Sequence, residues 1–168
     1  MALINQTGEI VTDSFRTLSE DEALPASEPV IVSLARWQKE RDALIGRNAP
    51  FGLRLQSGES PLQLGDDAHR FALIAIEFQT FKDGRGFSYA RRLREQMDYT
   101  GDIRAYGYVI PDQAQFLKRV GFTSVAVPNH ANLESWKRGF SEFSVFYQTA
   151  ADRRVPVFHQ RRQLMAAE

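Results

Sequence analysis

The feature that most constrains the fold is the run Phe-Ala-Leu-Ile-Ala-Ile-Glu-Phe at residues 71–78. A nearly continuous apolar run of this length is typical of a strand that is covered on both faces, as in a parallel sheet. Parallel neighbours need a long connection between them, which is usually a helix. The run therefore predicts that strands and helices alternate along the chain.

The rest of the sequence follows this alternation. Segments with strand character lie at 30–33, 51–55, 71–78, 101–110 and 122–128, and segments with helical spacing lie at 34–46, 86–97, 112–121 and 131–147. Ser33 and Asp112 are suited to cap two of these helices, and Gly46 and Gly121 to end them. Alternation with short connections predicts βαβ units and right-handed crossovers.

We therefore expect an α/β fold with about four core strands in a mostly parallel sheet. The sheet is half-barrel-like or open and three-layered, because a closed eightfold barrel needs about 250 residues. The 168 residues form a single domain. Residues 1–29 are read as a β-hairpin followed by an exposed acidic loop at 13–29, residues 30–147 as the βα core, and residues 148–168 as a basic tail.

Composition excludes several function classes. Lys plus Arg and Asp plus Glu both number 21, so the zero net charge argues against a nucleic acid or an anionic membrane as partner. No apolar run reaches the length of about 20 residues that a membrane span needs. The first 15 residues lack the basic and apolar regions of a secretory signal, so a cytoplasmic location is expected.

The chain contains no cysteine, which excludes disulfides, thiolate metal sites and a cysteine nucleophile. Its histidines, His69, His130 and His159, are scattered and show no metal-binding spacing. We therefore expect no metal site. The sequence does not identify a cofactor.

The richest stretch is Phe81–Arg94, which begins just after the apolar strand and opens a helix. Gly84 and Gly86 permit backbone angles that expose N–H groups, and a helix N-terminus favours negative charge. Arg85 can add a two-point contact to an anion. We predict that Gly84, Arg85, Gly86 and Ser88 bind a small anion. The alternative is a tight turn in which Asp83 caps the helix and Arg85 pairs with a carboxylate.

Two motif matches are set aside. Gly84 and Gly86 begin a dinucleotide-binding fingerprint, but Tyr89 stands at its third glycine, and the loop after the strand is longer than that motif allows. Residues 85–90 also faintly match an RNA-binding strand, yet the residues that follow them have helical spacing.

Other polar residues follow the ends of predicted parallel strands, where ligands of α/β folds bind. Glu77, Asp112 with Gln113, and Asn129 with His130 are expected on one rim. Arg104 lies inside a strand and needs a partner, for which Glu77 is a candidate. The candidate catalytic residues are Asp83, Arg85, Arg104, Asp112 and Gln113. Acid–base chemistry on this rim would require Glu77, Asp83 or Asp112 to lie close together and to have perturbed pKa values.

Several blocks carry a family resemblance. They are Asp-Gly-Arg-Gly at 83–86, Ala-Arg-x-Leu-Arg at 90–94, Arg-Ala at 104–105, Asp-Gln at 112–113, Arg-x-Gly-Phe at 119–122 and Tyr-Gln-x-Ala-Ala-Asp at 147–152. With them, the chain resembles family 934 of the domains of unknown function, bacterial proteins labelled probable oxidoreductases of sulfite reduction. The resemblance implies an accessory protein or oxidoreductase of assimilatory sulfite and sulfate reduction. It brings no catalytic residues.

The chain departs from the pattern of that family at Gln79, Thr80, Tyr108, Pro111 and Val120. Cysteine often stands at the position of Val120, so the obvious redox group is missing. Redox equivalents would have to come from a bound organic cofactor or from a partner reductase.

A second function class stays open. The aromatic-rich run at residues 140–148, Phe-Ser-Glu-Phe-Ser-Val-Phe-Tyr-Gln, fits an amphipathic helix on the core or an interface. As an interface it would make the chain a non-catalytic interaction module that docks on a reductase or forms a homodimer.

Overall fold

The fold is given by a computed structural model that describes residues 1–165, with side chains up to residue 162. The strands are β1 Ala2–Asn5, β2 Ile10–Val11, β3 Arg16–Thr17, β4 Val30–Ser33, β5 Phe51–Leu55, β6 Leu73–Phe78, β7 Asp102–Gly107 and β8 Ser124–Val127. The helices are α1 Leu34–Ile45, α2 Arg85–Glu95, α3 Ala114–Val120, α4 Leu133–Ser141 and α5 Val157–Met165, with 3₁₀ segments at Pro61–Arg70 and Pro111–Gln113.

All eight strands belong to one sheet, in the order β2-β1-β8-β7-β6-β5-β4-β3. From β3 to β8, each strand pairs in parallel with the next one in the chain. Strand β1 pairs antiparallel with both β2 and β8. These pairings confirm the predicted α/β fold with a mostly parallel sheet and an N-terminal hairpin. The prediction of about four core strands was too low, since six strands are parallel.

The sheet is curled into a half-barrel. An eight-stranded sheet laid flat would place its edges about 34 Å apart. The two edge strands, β2 and β3, are joined by residues 12–15 alone, and this connector spans at most about 18 Å. The two edges must therefore approach each other, and the connector crosses the open side. The exposed loop predicted at 13–29 was partly wrong, because it contains β3 and the buried side chain of Leu18.

The two faces of the sheet differ in composition. Because consecutive parallel strands are neighbours, right-handed crossovers place the helices on one face. On that face Leu53, Ile74, Ile76 and Ile103 pack with residues of the helices in one apolar core. The intervening residues of the same strands face the concave interior of the half-barrel. This excludes the predicted open three-layer alternative.

The helix boundaries follow local chemistry. Ser33 caps α1 as predicted, since its hydroxyl accepts the N–H of Arg36 at 3.0 Å. The Asp112 cap on α3 is wrong: Asp112 lies within the preceding 3₁₀ segment, and its side chain makes no cap. Gly121 ends α3 with a φ of 108°, as predicted, in the left-handed region that favours glycine.

The helix predicted at 131–147 ends early. Helix α4 stops at Ser141, and Gln115 donates its side-chain amide to the carbonyls of Phe140 and Phe143 at 2.9 and 3.2 Å. These bonds satisfy carbonyl groups that a longer helix would have used itself. Among the described residues, no helix combines the length and the apolar character that crossing a membrane requires.

Candidate functional site

The loop at residues 83–86 is closed by its own side chains. The guanidinium of Arg85 contacts both carboxylate oxygens of Asp83 at 2.8 and 2.9 Å and the Ser57 hydroxyl at 2.8 Å. Asp83 also accepts the backbone N–H of Arg85 at 3.2 Å. The neighbouring guanidinium holds the pKa of the Asp83 carboxyl well below its usual range. A carboxylate of the chain itself thus occupies the position predicted for an external anion.

The two glycines of this loop have different roles. A Cβ on Gly86 would lie 2.7 Å from the ring of Phe78, so this glycine lets α2 pack closely on β6. A Cβ on Gly84 would meet nothing within 4 Å, and the φ of Gly84, −83°, is open to any residue. The unusual backbone angles expected here are therefore absent. Ser88 is exposed and lines two shallow clefts with Arg91.

The predicted rim residues are only partly brought together. Ser57 links two of them, because its N–H donates to Glu77 at 3.1 Å and its hydroxyl bonds Asp83. Asp112 lies in a different cleft, beside Ser135 and Arg138. The Asp112 side chain is exposed.

The remaining rim residues have local roles. The Gln113 side chain accepts the N–H of Ile110 at 3.2 Å. Asn129 and His130 are exposed. Ser57 thus connects Glu77 and Asp83 but not Asp112, so the structure does not bring the three carboxylates together.

Arg104 faces the concave interior of the half-barrel. It is 6% exposed, and its two terminal nitrogens donate to the carboxylate of Asp13 at 2.8 and 3.0 Å. The predicted pairing with Glu77 is therefore wrong. The reason is topological: the connector at 12–15 crosses the open side of the half-barrel and brings Asp13 over β7.

Sequence reasoning missed Arg54, which lies on β5. Together with Asp13, Tyr106 and Arg104 it lines an interior cavity of about 230 Å³. The alternation of Leu53, Arg54 and Leu55 indicates where Arg54 points. The two leucines belong to the core on the helix side, so the arginine between them must face the other side of the sheet.

The two tyrosines on β7 and just after it differ in burial. Tyr106 is half-buried, and its hydroxyl donates to the carbonyl of Leu55 at 3.3 Å. Burial raises the pKa of the Tyr106 phenol. Tyr108 lies beyond the strand and is 58% exposed.

The segment after α4 displays aromatic side chains on an anchored backbone. Phe143 is 57% and Tyr147 is 85% exposed, and Val145 and Phe116 on α3 are also exposed. We call these four residues, three aromatic and one aliphatic, the aromatic strip. Arg119 fixes the segment, since it donates to the Gln148 carbonyl and its guanidinium lies 4.1 Å from the centre of the Phe146 ring.

Within the described residues, no cluster of three or more histidine, aspartate or glutamate side chains is arranged to hold a metal ion. A groove of about 620 Å³ lies beside Arg94, Tyr99 and Arg153. The guanidinium of Arg94 is already used there, because it donates to the backbone carbonyls of Tyr99, Gly101 and Gly121.

Comparison with known proteins gives one match. Residues 52–158, more than half of the chain, match the family model described as bacterial protein of unknown function (DUF934). No curated protein matches the chain, and neither does any solved structure.

Proposed function

We propose that this chain, which belongs to the DUF934 family of bacterial proteins, is an accessory protein of assimilatory sulfite and sulfate reduction that docks on a reductase. The sequence blocks that resemble proteins labelled for sulfite reduction support the pathway. The absence of cysteine supports a division of labour in which the partner reductase supplies the redox chemistry.

The aromatic strip is the observation that carries the docking proposal. Exposed aromatic side chains on a fixed backbone are characteristic of interaction surfaces, where such residues provide much of the binding energy. Gln115 and Arg119 hold the backbone beneath Phe143 and Tyr147, so little entropy is lost when a partner covers these side chains.

Basic residues border the strip and indicate the chemistry of the partner. Arg91 lines the cleft between α2, α3 and residues 148–151 and pairs with Glu95. Arg154 lies near the Phe146 ring and pairs with Asp152, and both guanidinium groups are exposed. Arg153 is exposed in the same segment. An apolar patch with a positive border fits a reductase surface that has apolar side chains bordered by carboxylates.

Binding of the purified chain to an assimilatory sulfite reductase, measured by biolayer interferometry, tests this proposal. We expect saturable binding that weakens as salt is raised, because the border is charged. Phe143→Ser and Tyr147→Ser should each weaken it about tenfold, which corresponds to about 1.4 kcal/mol. Ile10→Ser is the matched control, since Ile10 on β2 is another exposed large apolar side chain, and this variant should bind as the native chain does.

Two results would contradict the docking proposal. One is no binding to the reductase. The other is binding that both aromatic variants leave unchanged. The alternative partner for the strip is a second copy of the chain, and light scattering on the chain alone tests it. A dimer that Tyr147→Ser dissociates would make the strip a homodimer interface.

The predicted anion site at the 83–86 loop remains part of this proposal as a separate prediction. Sulfite or sulfate at millimolar concentration should raise the melting temperature, and Arg85→Ala should remove the effect. Asp83 must then give up Arg85 to the anion. An unchanged melting temperature would remove this loop from the function and leave the docking proposal intact.

A further inference from the structure

Two arginines flank Ala75 on the concave face of the sheet. Arg54 on β5 and Arg104 on β7 both pair in register with Ala75 on the strand between them. Adjacent strands lie about 4.8 Å apart, so the two arginine backbones are separated by about 10 Å. The methyl group of Ala75 leaves the space between them open, and all three residues line the cavity of about 230 Å³.

This cavity holds more hydrogen-bond donors than acceptors. Asp13 accepts from the two terminal nitrogens of Arg104, but the Nε of Arg104 is buried and finds no acceptor among the described residues. The Nε of Arg54 is also buried and has no acceptor among the described residues. Within residues 1–162, the guanidinium of Arg54 makes neither a hydrogen bond nor an ion pair. Buried donors of this kind are costly unless something accepts from them.

The other acidic groups on this face are engaged elsewhere. Glu77 accepts the N–H of Ser57 at 3.1 Å. Asp102 accepts from the hydroxyls of Thr123 and Ser124, and burial raises the pKa of the Asp102 carboxyl. Asp13 is thus the carboxylate that pairs with Arg104, and no carboxylate of the described residues pairs with Arg54.

We propose that the interior of the half-barrel is a binding site for a small anion, with Arg54 and Arg104 as its ligands. The anion carries a carboxylate, sulfonate or sulfate group, whose oxygens match the fork of an arginine. The volume corresponds to about seven or eight water molecules at about 30 Å³ each, so an inorganic oxyanion or an organic acid of a few carbon atoms fits. Ile31, Ala75 and Ala126 provide apolar walls for the body of such an acid.

Asp13 is the competitor that the chain itself provides. Its side chain is 40% exposed and belongs to the connector at 12–15 across the open side. A bound anion takes the donors of Arg54 and competes with Asp13 for those of Arg104. Removal of the Asp13 charge should therefore tighten anion binding.

Isothermal titration calorimetry of the full chain at low ionic strength tests the site, with sulfate, methanesulfonate, pyruvate and succinate as probes. We expect at least one probe to bind with 1:1 stoichiometry. Arg54→Gln should weaken its binding about tenfold or more, and Asp13→Asn should strengthen it several-fold. Arg70→Gln is the control, because Arg70 is exposed and pairs with Asp67 outside both candidate anion sites.

Ala75→Val provides a variant that keeps both charges and narrows the cavity, so it should weaken binding while circular dichroism stays native. The proposal is overturned if no probe binds with a Kd below about 10 mM. It is also overturned if Arg54→Gln binds as tightly as the native chain, or if Arg85→Gln loses the affinity instead. None of these results depends on the aromatic strip, so the docking proposal is judged separately.

Discussion

Arg104 and Asp13 are 91 residues apart in the chain and form a two-point ion pair across the interior of the half-barrel. The pair connects the middle of the sheet to the connector that joins its two edge strands. It therefore ties the N-terminal hairpin to the parallel core. The same carboxylate restricts access to the two interior arginines, so one contact bears on both stability and binding.

Breaking this pair should destabilise the fold. In Asp13→Ala, Arg104 stays buried without a partner for its terminal nitrogens, and we expect a loss of about 1–3 kcal/mol in the free energy of unfolding. Urea unfolding measures this loss. Ser14→Ala, on the same exposed connector, should be close to neutral. Equal stability of the two variants would show that the pair contributes nothing.

The two glycines of the 83–86 loop should respond oppositely to alanine. Gly86→Ala places a methyl group against the Phe78 ring and should cost about 1–3 kcal/mol. Gly84→Ala meets open space and should change the free energy of unfolding by less than about 0.5 kcal/mol. Thermal and urea unfolding of both variants check this difference. A stable Gly86→Ala would contradict the close packing of α2 on β6.

Arg94 should not tolerate lysine. Its guanidinium donates to three backbone carbonyls, and burial lowers the pKa of Arg94. A lysine carries all its donors on one nitrogen and cannot reach all three carbonyls. Arg94→Lys should therefore lower the free energy of unfolding by about 2–3 kcal/mol. Arg91→Lys is the control on the same helix, since Arg91 is exposed and contacts only Glu95 among the described acidic groups. Similar unfolding midpoints for the two variants would contradict this role.

The free energy of unfolding should fall at acid pH, in part because Asp83 becomes protonated. Its pKa is lowered in the folded chain, chiefly by the hydrogen bond from Arg85, whereas an unfolded aspartate titrates near about 3.9. The contribution of Asp83 is therefore complete above about pH 5 and is lost as the pH falls further. Asp83→Asn should lose less stability than the native chain between about pH 5 and 2. Parallel stability profiles for the two proteins would exclude this contribution.

Much of the fold follows from local pattern. The apolar run at 71–78 and the alternation around it predict parallel strands with helical crossovers, and the Ser33 cap follows from the residue type. The strand β3 was missed because Arg16–Thr17 is too short to carry a periodic signal. The end of α4 at Ser141 depends on Gln115, a contact across 25 and 28 residues that no local pattern contains.

The candidate sites show the same limit. The acidic and glycine residues at 83–86 indicate a special turn, but the sequence leaves open whether Arg85 binds an outside anion or Asp83. Arg104 needs a partner, yet Asp13 becomes that partner only because the sheet curls. Arg54 becomes a candidate once β5 and β7 are known to flank Ala75 in register.

Crystals of the chain soaked in selenate, whose selenium scatters X-rays anomalously, test the interior site most directly. The account predicts an anomalous peak within hydrogen-bond distance of the guanidinium groups of Arg54 and Arg104, and no such peak in crystals of Arg54→Gln. A peak confined to Arg85 at the start of α2, or no peak beside either interior arginine, would contradict it.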